Sequence, residues 1–83
     1  MKTVWLAIDS NKSRVKAHRF AENARNTVFE WAKDFLYEEN LELPHFAKYT
    51  DEVIMEAAND AVIQAEETPW LGCYMIKEAI LED

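Results

Sequence analysis

Val4, Leu6 and Ile8 alternate with Thr3, Trp5 and Ala7 near the start of the chain. A period of two sends successive side chains to opposite faces, so this run predicts a strand with one buried face. Asp9-Ser10-Asn11-Lys12-Ser13 is a cluster of turn formers, and Arg14 to Phe20 alternates polar and apolar again. Two alternating runs joined by a short turn predict a β-hairpin. A competing reading makes Ser13 to Glu39 one long helix, but the strict alternation and the β-branched Val15 favour the hairpin.

From Ala21 the period changes. Ala21, Ala24, Val28, Trp31, Ala32 and Phe35 recur three or four apart, which predicts an amphipathic helix from about Glu22 to Glu39. Asn23 and Asn26 are both candidates for its cap. Asn40 to Tyr49 is a connection interrupted by Pro44. Thr50 then reads as a helix cap followed by Asp51 and Glu52, carboxylates that suit the positive end of a helix dipole. The stripe Ile54, Ala57, Ala58, Ala61, Val62 and Ala65 carries this second helix to about Glu66, short of Thr68-Pro69. The last segment is apolar on both parities, so strand and short helix compete. Its Trp, Tyr, Cys and Ile favour a strand from about Leu71 to Lys77. The order is ββααβ. The expectation is one α+β domain over residues 1–83: a three-stranded antiparallel sheet, built from the hairpin and the C-terminal strand, with two helices on one face.

Composition narrows the function. The 83 residues hold one glycine, two prolines and one cysteine. They contain no glycine-rich phosphate loop, no Cys/His zinc spacing and no internal disulfide. The expectation is a protein without cofactor, metal or catalytic residues, since His18, His45 and Cys73 lie in separate elements. No apolar run approaches a membrane span or a signal-peptide core, which predicts a cytoplasmic protein without membrane attachment. Asn11-Lys12-Ser13 matches a glycosylation sequon, an empty match in that compartment.

The formal charge is −7, but it is divided unevenly. Most bases fall in the first third, whereas no Lys or Arg occurs between Lys48 and Lys77. Lys12, Arg14, Lys16 and His18 share one strand parity. If Val4, Leu6 and Ile8 face the helices, those bases stand with Trp5 and Tyr74 on the open side of the sheet. Cations among aromatics suit stacked bases and phosphates, so RNA binding is one reading of that face. Protection of an edge strand and contact with an acidic protein are the others. Glu52, Glu56 and Asp60 recur every fourth residue of the second helix, either as a solvated face or as a row that meets a basic partner. Glu38, Glu39, Glu42, Glu66 and Glu67 would extend that negative field. Phe29, Trp31, Phe35 and Tyr37 cannot all face inward, and an exposed Phe29 or Tyr37 would anchor an interface, including one in a homodimer.

Arg14–Leu36 (RVKAHRFAENARNTVFEWAKDFL) runs as basic strand, Phe-Ala junction and a helix with a Trp-Ala pair. With a strand before it and one closing the chain, the order of elements resembles small phage proteins that inhibit bacterial RNA polymerase or neutralise a bacterial toxin. The resemblance implies a non-enzymatic inhibitor that binds and blocks a host protein, such as a nucleic-acid-processing enzyme or a toxin. RNA binding through the basic sheet face is the alternative.

Overall fold

The computed structural model describes residues 2–81. Strand β1 (Lys2–Asp9) and strand β2 (Arg14–His18) form the predicted hairpin. Its turn is held by Asp9, whose Oδ1 accepts from the Asn11 backbone N–H at 3.0 Å. Ser13 takes the left-handed conformation at φ 50° that closes the loop. Helix α1 (Ala21–Glu42) starts behind Phe20 without a side-chain cap, so neither Asn23 nor Asn26 has the predicted role. Helix α2 (Asp51–Glu67) starts where its sequence says it should: Thr50 Oγ1 accepts from the Val53 N–H at 3.2 Å.

The closing strand differs from its prediction. Strand β3 runs Tyr74–Leu81 rather than Leu71–Lys77. Pro69 favours a further turn of tight helix, and Pro69–Leu71 forms a 3-10 turn with the Leu71 N–H donating to the Thr68 carbonyl at 3.0 Å. The chain extends only after Gly72. The sheet order is β2-β1-β3, antiparallel throughout, with both helices on one face.

That face is the reverse of the one the alternation predicts. Ala7 is fully buried and opposes Ile76 across the β1–β3 ladder; both join Ala24, Val28 and Ala65 in the core. Trp5, Trp31, Val62 and Tyr74 pack around them. Trp5, Ala7 and Asp9 therefore point towards the helices, and Val4, Leu6 and Ile8 point away. Two features fix this choice. Alanines at Ala7, Ala24 and Ala65 let helices and sheet approach closely, while the bulky Trp5 and Tyr74 fill the space beside them. Asp9 is the one buried charged residue among those described, 2% exposed, and its Oδ2 accepts from Arg14 Nε at 2.9 Å. A strand that faced the other way would break that pair, because a one-residue change of facing moves every side chain at once.

The helices outrun the sheet. A helix of 22 residues is about 33 Å long, and the molecule measures 54 × 21 × 20 Å. The distal part is a two-helix hairpin around Ala32, Ile54 and Ala58, all buried.

Candidate interaction surfaces

The predicted basic face is not open. Arg14 is bound to Asp9, and its guanidinium lies 4.5 Å from the centre of the Trp31 ring, a cation–π contact under the helix layer. His18 Nε2 is 2.7 Å from Thr27 Oγ1 of α1. Trp5 and Tyr74 pack against the core. Burial raises the Tyr74 phenol above its ordinary pKa, and the Asp9 carboxylate adds to the shift. Lys12 leaves the strand altogether: it sits in the turn and pairs with Glu38 at 3.4 Å. Of the six predicted residues only Lys12 and Lys16 remain exposed. The expected stacking platform is replaced by a structural cluster, Asp9–Arg14–Trp31, that ties the hairpin to α1.

The outer side of the sheet carries Val4, Leu6, Ile8, Val15, Met75 and Ala79 instead. None of these is buried, and Val15 is 61% exposed. The exposed basic residues there are Lys77, opposite Leu6, and Lys2, opposite Leu81.

The acidic row is where the spacing placed it. Glu52, Glu56 and Asp60 are all exposed on the outer side of α2, opposite the buried Ile54, Ala58 and Ala65. Continuing the same stripe by three and four residues reaches Ile63, 53% exposed, and then Glu67. Val53 and Met55 are also exposed on this helix. Sequence reasoning missed that mixture, although the signal was present: none of these three belongs to the stripe that packs inward. The wider field is partly neutralised. Glu38 pairs with Lys12, and Glu66 bonds to Arg25, whose pKa this contact raises. Glu39 accepts from the Tyr49 hydroxyl at 3.1 Å.

The aromatic anchors also differ from expectation. Tyr37 is half-buried and donates to Asp51 at 3.0 Å, a bond that raises its pKa; Tyr49 is raised in the same way by Glu39. Phe29 is half-buried, with Lys33 Nζ 5.9 Å from its ring centre. Phe35 is the exposed member of that group, beside Glu38, Glu39 and Glu42 in a shallow groove on α1. Phe46, on the 3-10 turn His45–Ala47 at the far end of the helical hairpin, is more exposed still.

Compared with family models, curated proteins and solved structures, the chain matches none. The chemistry of the surfaces stands alone. Cys73 lies beside Ser10, whose N–H donates to its carbonyl at 2.9 Å, whereas His18 pairs with Trp5 several rungs away along β1. His45 sits at the distal tip, so the fold brings neither histidine to the thiol. The described residues contain no group of three or more potential metal ligands, and no helix among them is long and apolar enough to cross a membrane.

Proposed function

We propose that this protein is a non-enzymatic binding protein that holds a host protein by a basic, partly apolar surface, using the outer side of α2. One observation carries the reading: an exposed isoleucine continues a carboxylate row. Glu52, Glu56, Asp60 and Glu67 are exposed on the same stripe as Ile63. Like charges four apart on a helix cost about 0.2–0.5 kcal/mol per pair, and an exposed Ile gains nothing from water. A partner that offers cations around an apolar pocket relieves both. Charge of one sign also steers such a partner from a distance and speeds encounter. The row sits on a helix that is braced along its other side, so it is presented rigidly.

RNA has less to hold. The aromatics that would stack bases are packed inward, and Arg14 is engaged by Asp9 and Trp31.

The test uses a photo-crosslinking amino acid at Ile63 of the full chain, irradiated in bacterial cells with and without nuclease. A protein should be captured in both conditions. Its affinity, measured with purified components, should fall at least about tenfold in the triple variant Glu52→Lys, Glu56→Lys, Asp60→Lys and weaken as salt rises. Equal affinity in the triple variant, or capture of RNA alone, overturns the proposal.

A further inference from the structure

We infer that the outer side of the sheet is a second binding face, and that it takes an acidic amphipathic helix of another protein. The face shares no residue with the acidic row of α2, so it stands or falls apart from that reading.

The strands send their carboxylates one way and their longer aliphatics the other. Val4, Leu6 and Ile8 run down the middle of the outer side, between Val15 on β2 and Met75 on β3. The described strands hold two carboxylates, Asp9 and Glu78, and both take the opposite parity. Asp9 stands across from Tyr74 and Glu78 across from Trp5, on the helix side. The outer side keeps Lys2 and Lys77, both exposed and neither in an ion pair among the described residues. Arg19, exposed just past the end of β2, adds a cation at the margin. This side of the sheet is therefore positive in a chain whose net charge is −7. An antiparallel sheet open to water on one side normally shows polar residues there. Aliphatic side chains bordered by cations match instead a ligand that is apolar along one side and negative at its flanks.

Size selects a helix as that ligand. Three strands of up to eight residues make a face about 14 Å wide and about 26 Å long, at roughly 4.8 Å per strand and 3.3 Å per residue. One helix, about 10–12 Å across, covers that width, and four to five turns cover roughly that length. The projected area is about 330 Å², well short of the roughly 800 Å² per partner of a standard interface. The occupant is thus a single segment bound weakly rather than a folded body. A second copy of this face would set lysine against lysine. Single-stranded RNA would meet the cations but no stacking platform, because Trp5 and Tyr74 pack inward.

The test uses two synthetic helical peptides of about 18 residues, with leucine along one side and either glutamate or glutamine along the other. Glu and Gln have nearly the same helix propensity, so the peptides differ chiefly in charge. The negative chain as a whole repels the Glu peptide, and only a locally positive site reverses that preference. Binding to the full chain is followed by fluorescence anisotropy and by the shifts of its backbone amides. The Glu peptide should bind with a dissociation constant of about 10–300 μM, as a small contact allows. At low salt it should bind at least about threefold more tightly than the Gln peptide, and the difference should fade as salt rises. The shifted amides should centre on Leu6, Val15 and Lys77. The double variant Lys2→Gln, Lys77→Gln alters two exposed side chains outside the core and should bring both peptides to equal affinity. A Glu peptide that does not bind by about 500 μM overturns the inference. So do a Gln peptide that binds as well to the wild-type chain, shifts centred on another surface, and a double variant that keeps the preference. Single-stranded RNA that moves these amides when the Glu peptide does not overturns it as well.

Discussion

Replacing Asp9 by alanine removes the one buried carboxylate among the described residues, and with it two hydrogen bonds. The stronger joins Oδ2 to Arg14 Nε at 2.9 Å. A bond to a charged group contributes about 1.5–3 kcal/mol net. The second accepts from the Asn11 N–H at 3.0 Å, and because Asn11 is exposed, water replaces most of it. Losing one partner of a fully buried ion pair costs about 3–5 kcal/mol, since the other charge is stranded. Arg14 is not stranded: its side chain is 36% exposed and keeps its place over Trp31. The expected loss is therefore about 2–3 kcal/mol, below the fully buried case. In a domain of this size that is a large part of the total stability, and it lowers the melting temperature by about 10–20 °C. Urea denaturation followed by tryptophan fluorescence reads the first quantity, and a thermal melt the second. A cycle with Arg14→Met should give a coupling of about 1–2 kcal/mol. A loss below about 0.5 kcal/mol refutes the reasoning, because that is what an exposed surface carboxylate costs. It would mean that Val4, Leu6 and Ile8 face the helices and Asp9 faces water.

Two further outcomes follow from single contacts. All three tyrosines are held above their ordinary pKa, Tyr37 and Tyr49 by bonds to Asp51 and Glu39, Tyr74 by burial. The native protein should thus ionise its phenols at higher pH than the same chain in denaturant, read by absorbance near about 295 nm. A phenol with a raised folded pKa contributes stability that is intact below about pH 10 and is lost as pH rises through the folded value. Tyr74→Phe should flatten that alkaline loss, and an unchanged slope would remove Tyr74 from the core. At Gly72 an added Cβ would stand 2.6 Å from Gln64 Cδ, while Gln64 Nε2 donates to the Thr68 carbonyl at 2.7 Å. Gly72→Ala should cost about 0.5–1.5 kcal/mol by displacing that cap, and nearly nothing once Gln64 is already alanine. An equal cost in both backgrounds would show that the clash lies elsewhere.

The elements readable from sequence are those set by local chemistry. The hairpin follows from alternation and a turn cluster, and α2 from Thr50 and its alanine stripe; the ββααβ order and the antiparallel sheet follow from these. The acidic row was readable too, because four-residue spacing on a helix is a local property. What was hidden depends on contacts between distant residues. Residues 4 to 8 are apolar on both parities, so hydrophobicity alone does not choose a side. The choice rests on alanines from three elements meeting at Ala7, and on Asp9, which reads as a turn former but is also the buried partner of Arg14. The same inversion carries Trp5 and Tyr74 inward and dissolves the basic sheet face. Phe35 rather than Phe29 or Tyr37 is exposed because α1 and α2 cross beyond the sheet, where no strand covers them.

Adjacent residues on β1 give the most direct test of this inside-out sheet. The measurement is the unfolding free energy of Leu6→Gln and of Ala7→Gln, taken in dilute solution. The account predicts that Leu6→Gln stays within about 1 kcal/mol of wild type, because its side chain faces solvent in the single chain. Ala7→Gln forces a polar side chain into a site with 0% exposure and should cost more than about 3 kcal/mol, or prevent folding. The reverse order, with Leu6→Gln the damaging change and Ala7→Gln tolerated, would contradict it.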